Sequence, residues 1–224
     1  MPDLDFKVVG VGAATRGLTP LLHFKLEVVT SSPEPIQAVL LNAQIQIQPP
    51  QRSYTPGEKE KLVELFGTPE RWGQTLRNRL WTHANVTVGN FTHQTEAVLA
   101  VPCSYDLNLA AAKYFYALDG GDIPLLFLFS GSIFYMTAEG RLQIERVSWN
   151  KECAHRLPVP VWKDLMEHHY PNSEWLYLQR ETFDQLWAYK RRNGLATWEQ
   201  TMEHLLSAVA AAPEGAPLTQ EVPA

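Results

Sequence analysis

IPLLFLFSGSIFYM, residues 123–136, is the longest near-apolar run in the chain, and its reading decides what the rest of the sequence must build. A helix that crosses a bilayer needs roughly 20 predominantly apolar residues. This run is shorter, and Pro124, Ser130, Gly131 and Ser132 interrupt it. It therefore reads as a strand. Leu125, Phe127 and Phe129 fill one face, and Leu126, Leu128 and Phe134 the other. A strand apolar on both faces is expected to be covered on both.

Upstream, the period of two that marks half-buried strands recurs. Leu4, Phe6 and Val8 form one short run, and Leu22, Phe24, Leu26 and Val28 alternate with His23, Lys25 and Glu27 in a second. Val39, Leu41, Ala43, Ile45 and Ile47 alternate with Leu40, Asn42, Gln44, Gln46 and Gln48 in a third. Further strands are expected over Trp81 to Phe91, Thr95 to Tyr105 and Arg141 to Val147. Between them, Thr55-Pro56-Gly57-Glu58 carries an N-cap threonine, a proline at the first helical position and a glutamate three residues after the cap. That pattern predicts a short helix to about Phe66, ended by Gly67, with a further turn opening at Thr68-Pro69-Glu70.

Beyond Trp149 the period changes to that of helices. Trp162, Leu165, Met166 and His169 stand at i, i+3, i+4 and i+7, predicting an amphipathic helix over Val159 to His169. Thr182 with Gln185, and Thr197 with Gln200, read as capping boxes of two more helices, the first stopped by Asn193-Gly194. The tail from Ala211, rich in Ala, Pro and Glu, reads as disordered. The expected fold is α+β: a largely antiparallel β-sandwich over residues 1–150 with a short helical insertion near 56–75. A helical region over 151–210, about three helices, is expected to dock on the sheet, followed by the tail 211–224.

The chain has 224 residues, enough to bury a full core, and 45% of them are apolar. Charge is spread evenly: 12 basic residues face 14 acidic ones in positions 1–150, and 7 face 10 in the remainder. No basic stripe of the kind that binds nucleic acid is present. The opening MPDLDFKVVG lacks the apolar run and small-residue cleavage site of a signal peptide, so a cytoplasmic chain is expected, with no membrane insertion. In that compartment Cys103 and Cys153 are expected as reduced thiols, and the sequons at Asn85 and Asn90 carry no weight.

Gly10-Val11-Gly12 follows a predicted strand, as a dinucleotide-binding turn would. Thr15 stands where the third glycine is needed, and Arg16-Gly17-Leu18-Thr19-Pro20 cannot open the required helix, so a simple turn is expected. There is no Walker loop, GxSxG or HExxH. Cys103, Tyr105, Asp106 and Lys113 would form a nucleophilic site only if His83, His93 or His155 approached Cys103 in the fold. The plainer reading of Cys103 is a small buried core residue. Cys153-Ala154-His155, with Cys103 and His168-His169, offers zinc or nickel donors, but without the closely spaced ligand pairs that metal sites use. No cofactor is expected. Asp119-Gly120-Gly121-Asp122 reads as a turn whose aspartates bind local backbone. Of the seven tryptophans, Trp162, Trp187 and Trp198 lie on helical stripes, where burial is expected. Trp72 and Trp175, in irregular segments, are the interface candidates, together with Asp119 and Asp122. Lys190-Arg191-Arg192 complements a helix C-terminus.

Three blocks carry a resemblance: FGTPERWGQTLRNRLWTH (Phe66 to His83), PCSYDLNLAAAKYFYALDGGDIPLLFLFSG (Pro102 to Gly131) and LPVPVWKDLMEHHYPNSEWLYL (Leu157 to Leu178). Over about residues 4–209 the chain resembles an uncharacterised bacterial protein family loosely associated with gene neighbourhoods of nickel-iron uptake hydrogenases. The resemblance brings no catalytic residue with it. It implies a small accessory or partner-binding factor beside a metalloenzyme. The leading expectation is thus a non-catalytic interaction protein with a protein partner. The alternatives are a cysteine- or metal-dependent enzyme centred on Cys103 and Asp106, perhaps with His155, and a small-ligand carrier with a cavity between sheet and helices.

Overall fold

The computed structural model describes residues 2–14, 16–104, 108–174 and 176–210. Two compact units divide the chain, Met1–Glu174 and Trp175–Ala224.

The first unit is an antiparallel sandwich with helices, so the chain is an α+β protein. One sheet has the order β1 (Leu4–Ala14), β2 (Leu21–Thr30), β5 (Gln94–Pro102). The other runs β4 (Arg79–Val88), β3 (Ile36–Ile47), β6 (Asp122–Met136) and β7 (Leu142–Arg146), with β8 (Glu152–Pro158) also paired to β6. The apolar run that opened the sequence reading lies in β6, the organising strand. On one edge it pairs with β3 from Tyr135 to Leu125; on the other it pairs with β8 up to Leu128 and then with β7 from Ser132. Gly131 sits at that changeover with φ +151, and a Cβ there would lie 2.0 Å from the Leu40 carbonyl oxygen. Only glycine allows β3 and β6 to approach this closely.

The period of two places alternate side chains between the sheets. Phe6 of β1 stacks on Phe129 of β6 at 4.7 Å between ring centroids, and Phe24 of β2 meets Phe127 edge-on at 5.1 Å. Ile123, Leu125, Phe127, Phe129 and Ile133 are buried. Their neighbours Leu126, Leu128 and Phe134 are only half-buried, which corrects the expectation of cover on both faces. On that outer face β6 is flanked by the polar side of β3, where Gln44 pairs with Leu128 and Gln46 with Leu126. The face is a wet sheet surface with an apolar centre.

Helices close one end. Thr55 caps α1 (Pro56–Lys61) in the predicted capping box, α2 (Val63–Phe66) follows, and Gly67 ends it at φ +73. A short α3 (Trp72–Thr75) comes next. Helix α4 (Leu109–Ala117), capped by the Asn108 side chain on the Ala111 N–H, was not expected, because Tyr114, Phe115 and the alanines give no single polar face. It is buried on most sides, as such a helix must be. Helix α5 (Val159–His169) has the predicted bounds and buries Val159, Trp162, Leu165 and Met166. A run of edge-to-face rings, Phe24–Trp81, Trp81–Phe115 and Phe115–Trp162, joins sheet to helices.

Two local expectations are corrected. Gly10 to Gly12 form no turn: they continue β1, paired with Lys25, Phe24 and His23 after a register shift between Val8 and Gly10. Residues 152–158, expected at the start of the helical region, form β8, because the buried strand β6 supplies a ladder for a weakly patterned segment.

The second unit contains two helices, α6 (Arg180–Arg192) and α7 (Trp198–Ala210). Thr197 and Gln200 make the predicted box: Gln200 N–H donates to Thr197 Oγ1 at 3.1 Å, and Thr197 N–H to Gln200 Oε1. Thr182 caps nothing, since α6 already begins at Arg180 after Gln179. Gly194 takes φ +64 after the last turn of α6. The tail 211–224 lies outside the described residues. No helix among the described residues is long and apolar enough to cross a membrane.

Candidate functional site

The thiol and imidazole candidates are held by the sandwich. Cys103 follows β5 and is buried, its Sγ 3.4 Å from the Val101 carbonyl oxygen. Burial pushes the thiol up to about 12, so it carries a proton at neutral pH and is a poor nucleophile. Asp106 and Tyr105 lie outside the described residues. Cys153 and His155 share the β8 face opposite Phe127 and Leu125, and both contact the Val8 backbone. Burial raises the Cys153 thiol. Burial also lowers the His155 imidazole, with the Val8 backbone and the Asp122 charge acting against it. The His155 ring stands edge-on to Phe24 at 6.1 Å, and its Nε2 is buried without a hydrogen-bond partner. His169 Nδ1 lies 3.1 Å from the Leu165 carbonyl oxygen of its own helix. Among the described residues no three His, Cys, Asp or Glu side chains converge as metal ligands would. Lys113 pairs with Glu64 at the surface.

The acidic turn serves the fold through a residue that sequence reading passed over. Arg52 donates to the Asp122 carbonyl, the Gly120 carbonyl and Glu58 Oε1, each at 2.6 Å. Glu58 also accepts from the N–H groups of Thr55 and Asp119 at 2.9 Å. Burial favours a protonated Glu58, but those backbone donors and Arg52 outweigh it and hold the carboxyl below its ordinary value. Glu58 is thus both the third helical residue of the α1 box and the partner of a buried guanidinium. Asp119 itself reaches Lys61 at 2.6 Å, which lowers its carboxyl. Trp72 belongs to the same end of the core: it is buried, its Nε1 donates to the Gly67 carbonyl at 2.8 Å, and its ring meets Tyr54 and Phe66 edge-on. It has little surface to offer a partner. Trp175 lies outside the described residues.

The surface suited to binding is in the second unit. Phe183, Trp187 and Trp198 form a three-ring cluster, with centroids 5.2 Å apart for Phe183–Trp198, 5.7 Å for Trp187–Trp198 and 6.3 Å for Phe183–Trp187. Lys190 holds it from the loop side. Its Nζ lies over both indoles, at 5.9 and 5.8 Å, and donates to the Leu195 and Ala196 carbonyls at the end of α6. This ties the α6–α7 connection to the rings. Burial stops there: Trp187 is 47% exposed and Phe183 42%, and the only buried residue of the two helices is Thr201. The expected burial of Trp187 is therefore corrected. The period fixed which face the ring occupies, but two helices of 13 residues cannot supply enough partner surface to cover it. A groove of about 680 Å³ opens beside the cluster, walled by Tyr177, Leu178, Phe183, Trp198 and Met202, with Arg180 and Asp184 at its rim. Its size and aromatic walls are those of a site for an apolar side chain or small molecule, flanked by one cation and one anion. The readable signal was the pairing of two short helices that carry aromatic residues on their stripes.

The chain belongs to the family of unknown function DUF6084, which it matches over residues 1–214. No curated protein matches it in sequence. Among solved structures, it is similar to the solution structure of a protein assigned as late embryogenesis abundant (LEA), at 13% identity over 70% of this chain and 72% of that one, with a TM-score of 0.29. It is also similar to a β-glucosidase from Kluyveromyces marxianus, at 6% identity over 69% of this chain and 15% of the enzyme, with a TM-score of 0.23. Neither likeness is close enough to bear on fold or function.

Proposed function

We propose that this member of a family of unknown function is a non-catalytic protein-interaction factor whose C-terminal helical unit engages a protein partner. The half-exposed cluster of Phe183, Trp187 and Trp198, standing beside an open aromatic groove, carries the proposal. Tryptophan, tyrosine and arginine are the residues in which binding energy concentrates, and rings left partly bare on a folded element are costly unless something covers them. The sandwich supports the reading from the other side. Among its described residues, burial raises both thiols, and the acidic turn gives its Gly120 and Asp122 carbonyls to Arg52 and its Asp119 carboxylate to Lys61. An accessory role in the assembly or function of a metalloenzyme, such as an uptake hydrogenase, is the finer form of this proposal. It rests on the family resemblance alone.

The test is affinity purification of the tagged full-length chain from the native cell, in parallel with a Phe183→Ala/Trp187→Ala variant. A specific protein recovered with the first and lost with the second supports the reading, and hydrogenase subunits in that fraction would support its finer form. Recovery of no specific protein by either chain refutes an interaction with another protein.

A further inference from the structure

We propose that the chain associates with a second copy of itself through the exposed face of α6, the two helices packing antiparallel about a two-fold axis that passes between Trp187 and Ala188. This rests on the interaction reading above and names a partner for it.

Residues three, four and seven apart share a helix face, so Arg180, Phe183, Asp184, Trp187, Ala188 and Arg191 form one stripe. Asp184 and Arg191 are exposed, and neither side chain makes a hydrogen bond or ion pair among the described residues. The order along the stripe is self-complementary. Reversing the helix about the middle of Trp187-Ala188 sets Asp184 of one copy against Arg191 of the second copy, and symmetry repeats the pair at the other end. The same operation keeps each residue on its own side of the seam, so the two Trp187 rings meet on one side of the axis and the two Ala188 side chains on the other. One symmetry operation thus gives Asp184 and Arg191 each an opposite charge and gives the exposed Trp187 ring an apolar neighbour. No other occupant is specified by the order of charges on this helix. A parallel arrangement would put Asp184 against Asp184 and Arg191 against Arg191.

Sedimentation equilibrium on the full-length chain tests the proposal. The wild type is expected to be a reversible dimer. Because symmetry doubles each substitution, Asp184→Arg and Arg191→Asp should each weaken dimerisation by at least about tenfold. The double variant D184R/R191D restores opposite charges at both ends, and its affinity should return to within about threefold of the wild type. Ala188→Cys gives a second readout free of charge effects, since the two introduced thiols flank the axis and oxidation should link two copies covalently.

A wild type that stays monomeric through the micromolar range overturns the proposal. So does a dimer indifferent to both reversals, a double reversal that fails to restore it, or a dimer whose Ala188→Cys variant does not cross-link. A monomeric chain that still captures a specific protein through Phe183 and Trp187 refutes self-association and leaves the interaction reading standing. A charge-sensitive dimer with no other protein captured supports self-association and removes the heterologous partner.

Discussion

Trp81 and Trp162 in the sandwich are 5% and 2% exposed, whereas Trp187 in the C-terminal unit is 47% exposed, although all three lie on apolar faces of regular elements. The periodicity is equally good in each case. What differs is how much packed surface the neighbourhood can supply. Trp162 meets Phe115, which meets Trp81, which meets Phe24 on the opposite sheet, so each ring finds an apolar neighbour on several sides. Trp187 finds Phe183, Trp198 and the Lys190 ammonium, and then solvent. Amphipathic patterning says which side of an element is apolar. It does not say whether the molecule has enough mass to cover that side.

The largest expected effect falls in the sandwich. Phe127 is fully buried between Phe24 and Phe129 on the central strand, and Phe127→Ala should destabilise the chain by about 3–5 kcal/mol through lost transfer energy and the cavity left behind. Urea unfolding followed by tryptophan fluorescence measures it. A loss below about 1 kcal/mol would mean that the sheets relax around the missing ring and that the contrast between the units is overstated.

Next comes the Arg52–Glu58 pair. Glu58→Gln leaves the shape and removes the charge opposite a buried guanidinium, which should cost about 3 kcal/mol. It should also change the pH dependence. The folded Glu58 carboxyl lies below its unfolded value, so its stabilising contribution is present above the unfolded pKa and is lost as pH falls through the folded one. As pH falls below the ordinary carboxylate value the wild type should therefore lose stability that the variant does not have to lose. Parallel curves of unfolding midpoint against pH for the two proteins would show that Glu58 is not the titrating group.

The two capping boxes give a smaller, direct comparison. Thr55→Ala removes an N-cap whose partner Glu58 is also held by Arg52 and the Asp119 N–H, whereas Thr197→Ala removes an N-cap in the exposed unit. Loss of an N-cap costs about 1 kcal/mol. The whole of that cost should register in global unfolding for Thr55, where the box is fixed into the core. For Thr197 it should register in amide exchange of α7 and little in the global midpoint, because the unit offers few buried contacts to transmit it. Equal shifts of the global midpoint would show the two units unfolding as one.

These contrasts also mark where the sequence could be read. Alternation in β2 and β3, the Thr55 box, the stop at Gly67 and the full span of α5 follow from local rules, and the structure keeps each of them. Helix α4 escaped because it is apolar nearly all round, and β8 because its pairing depends on β6, some thirty residues earlier. The site was harder. Cys103, Cys153 and His155 have reactive side chains, but their burial, which decides whether they react, is a property of packed neighbours. Arg52 looked ordinary because its carbonyl partners at Gly120 and Asp122 lie about seventy residues away. Trp187 and Trp198 were placed on helical stripes, and only the exposure left to them had to come from the fold.

Trp187→Ala is the smallest expected effect on stability and the sharpest test of the comparison. In a core such as that around Trp162, truncating tryptophan to alanine costs about 3–5 kcal/mol. A ring left half in water has already forgone much of that stabilisation, and alanine is the better helix former, which offsets part of the remainder. The net change in global unfolding should stay within about 1 kcal/mol. Removal of the ring also leaves Lys190 with its carbonyl partners at Leu195 and Ala196, so the α6–α7 connection keeps its main polar tie. Association is another matter. A half-exposed indole recovers its full burial only when a partner covers it, so the same substitution should weaken binding far more than it weakens folding. Urea unfolding and sedimentation on one preparation separate the two. A large loss of stability with association unchanged would make Trp187 a core residue after all, and the exposed cluster would cease to distinguish the second unit from the first.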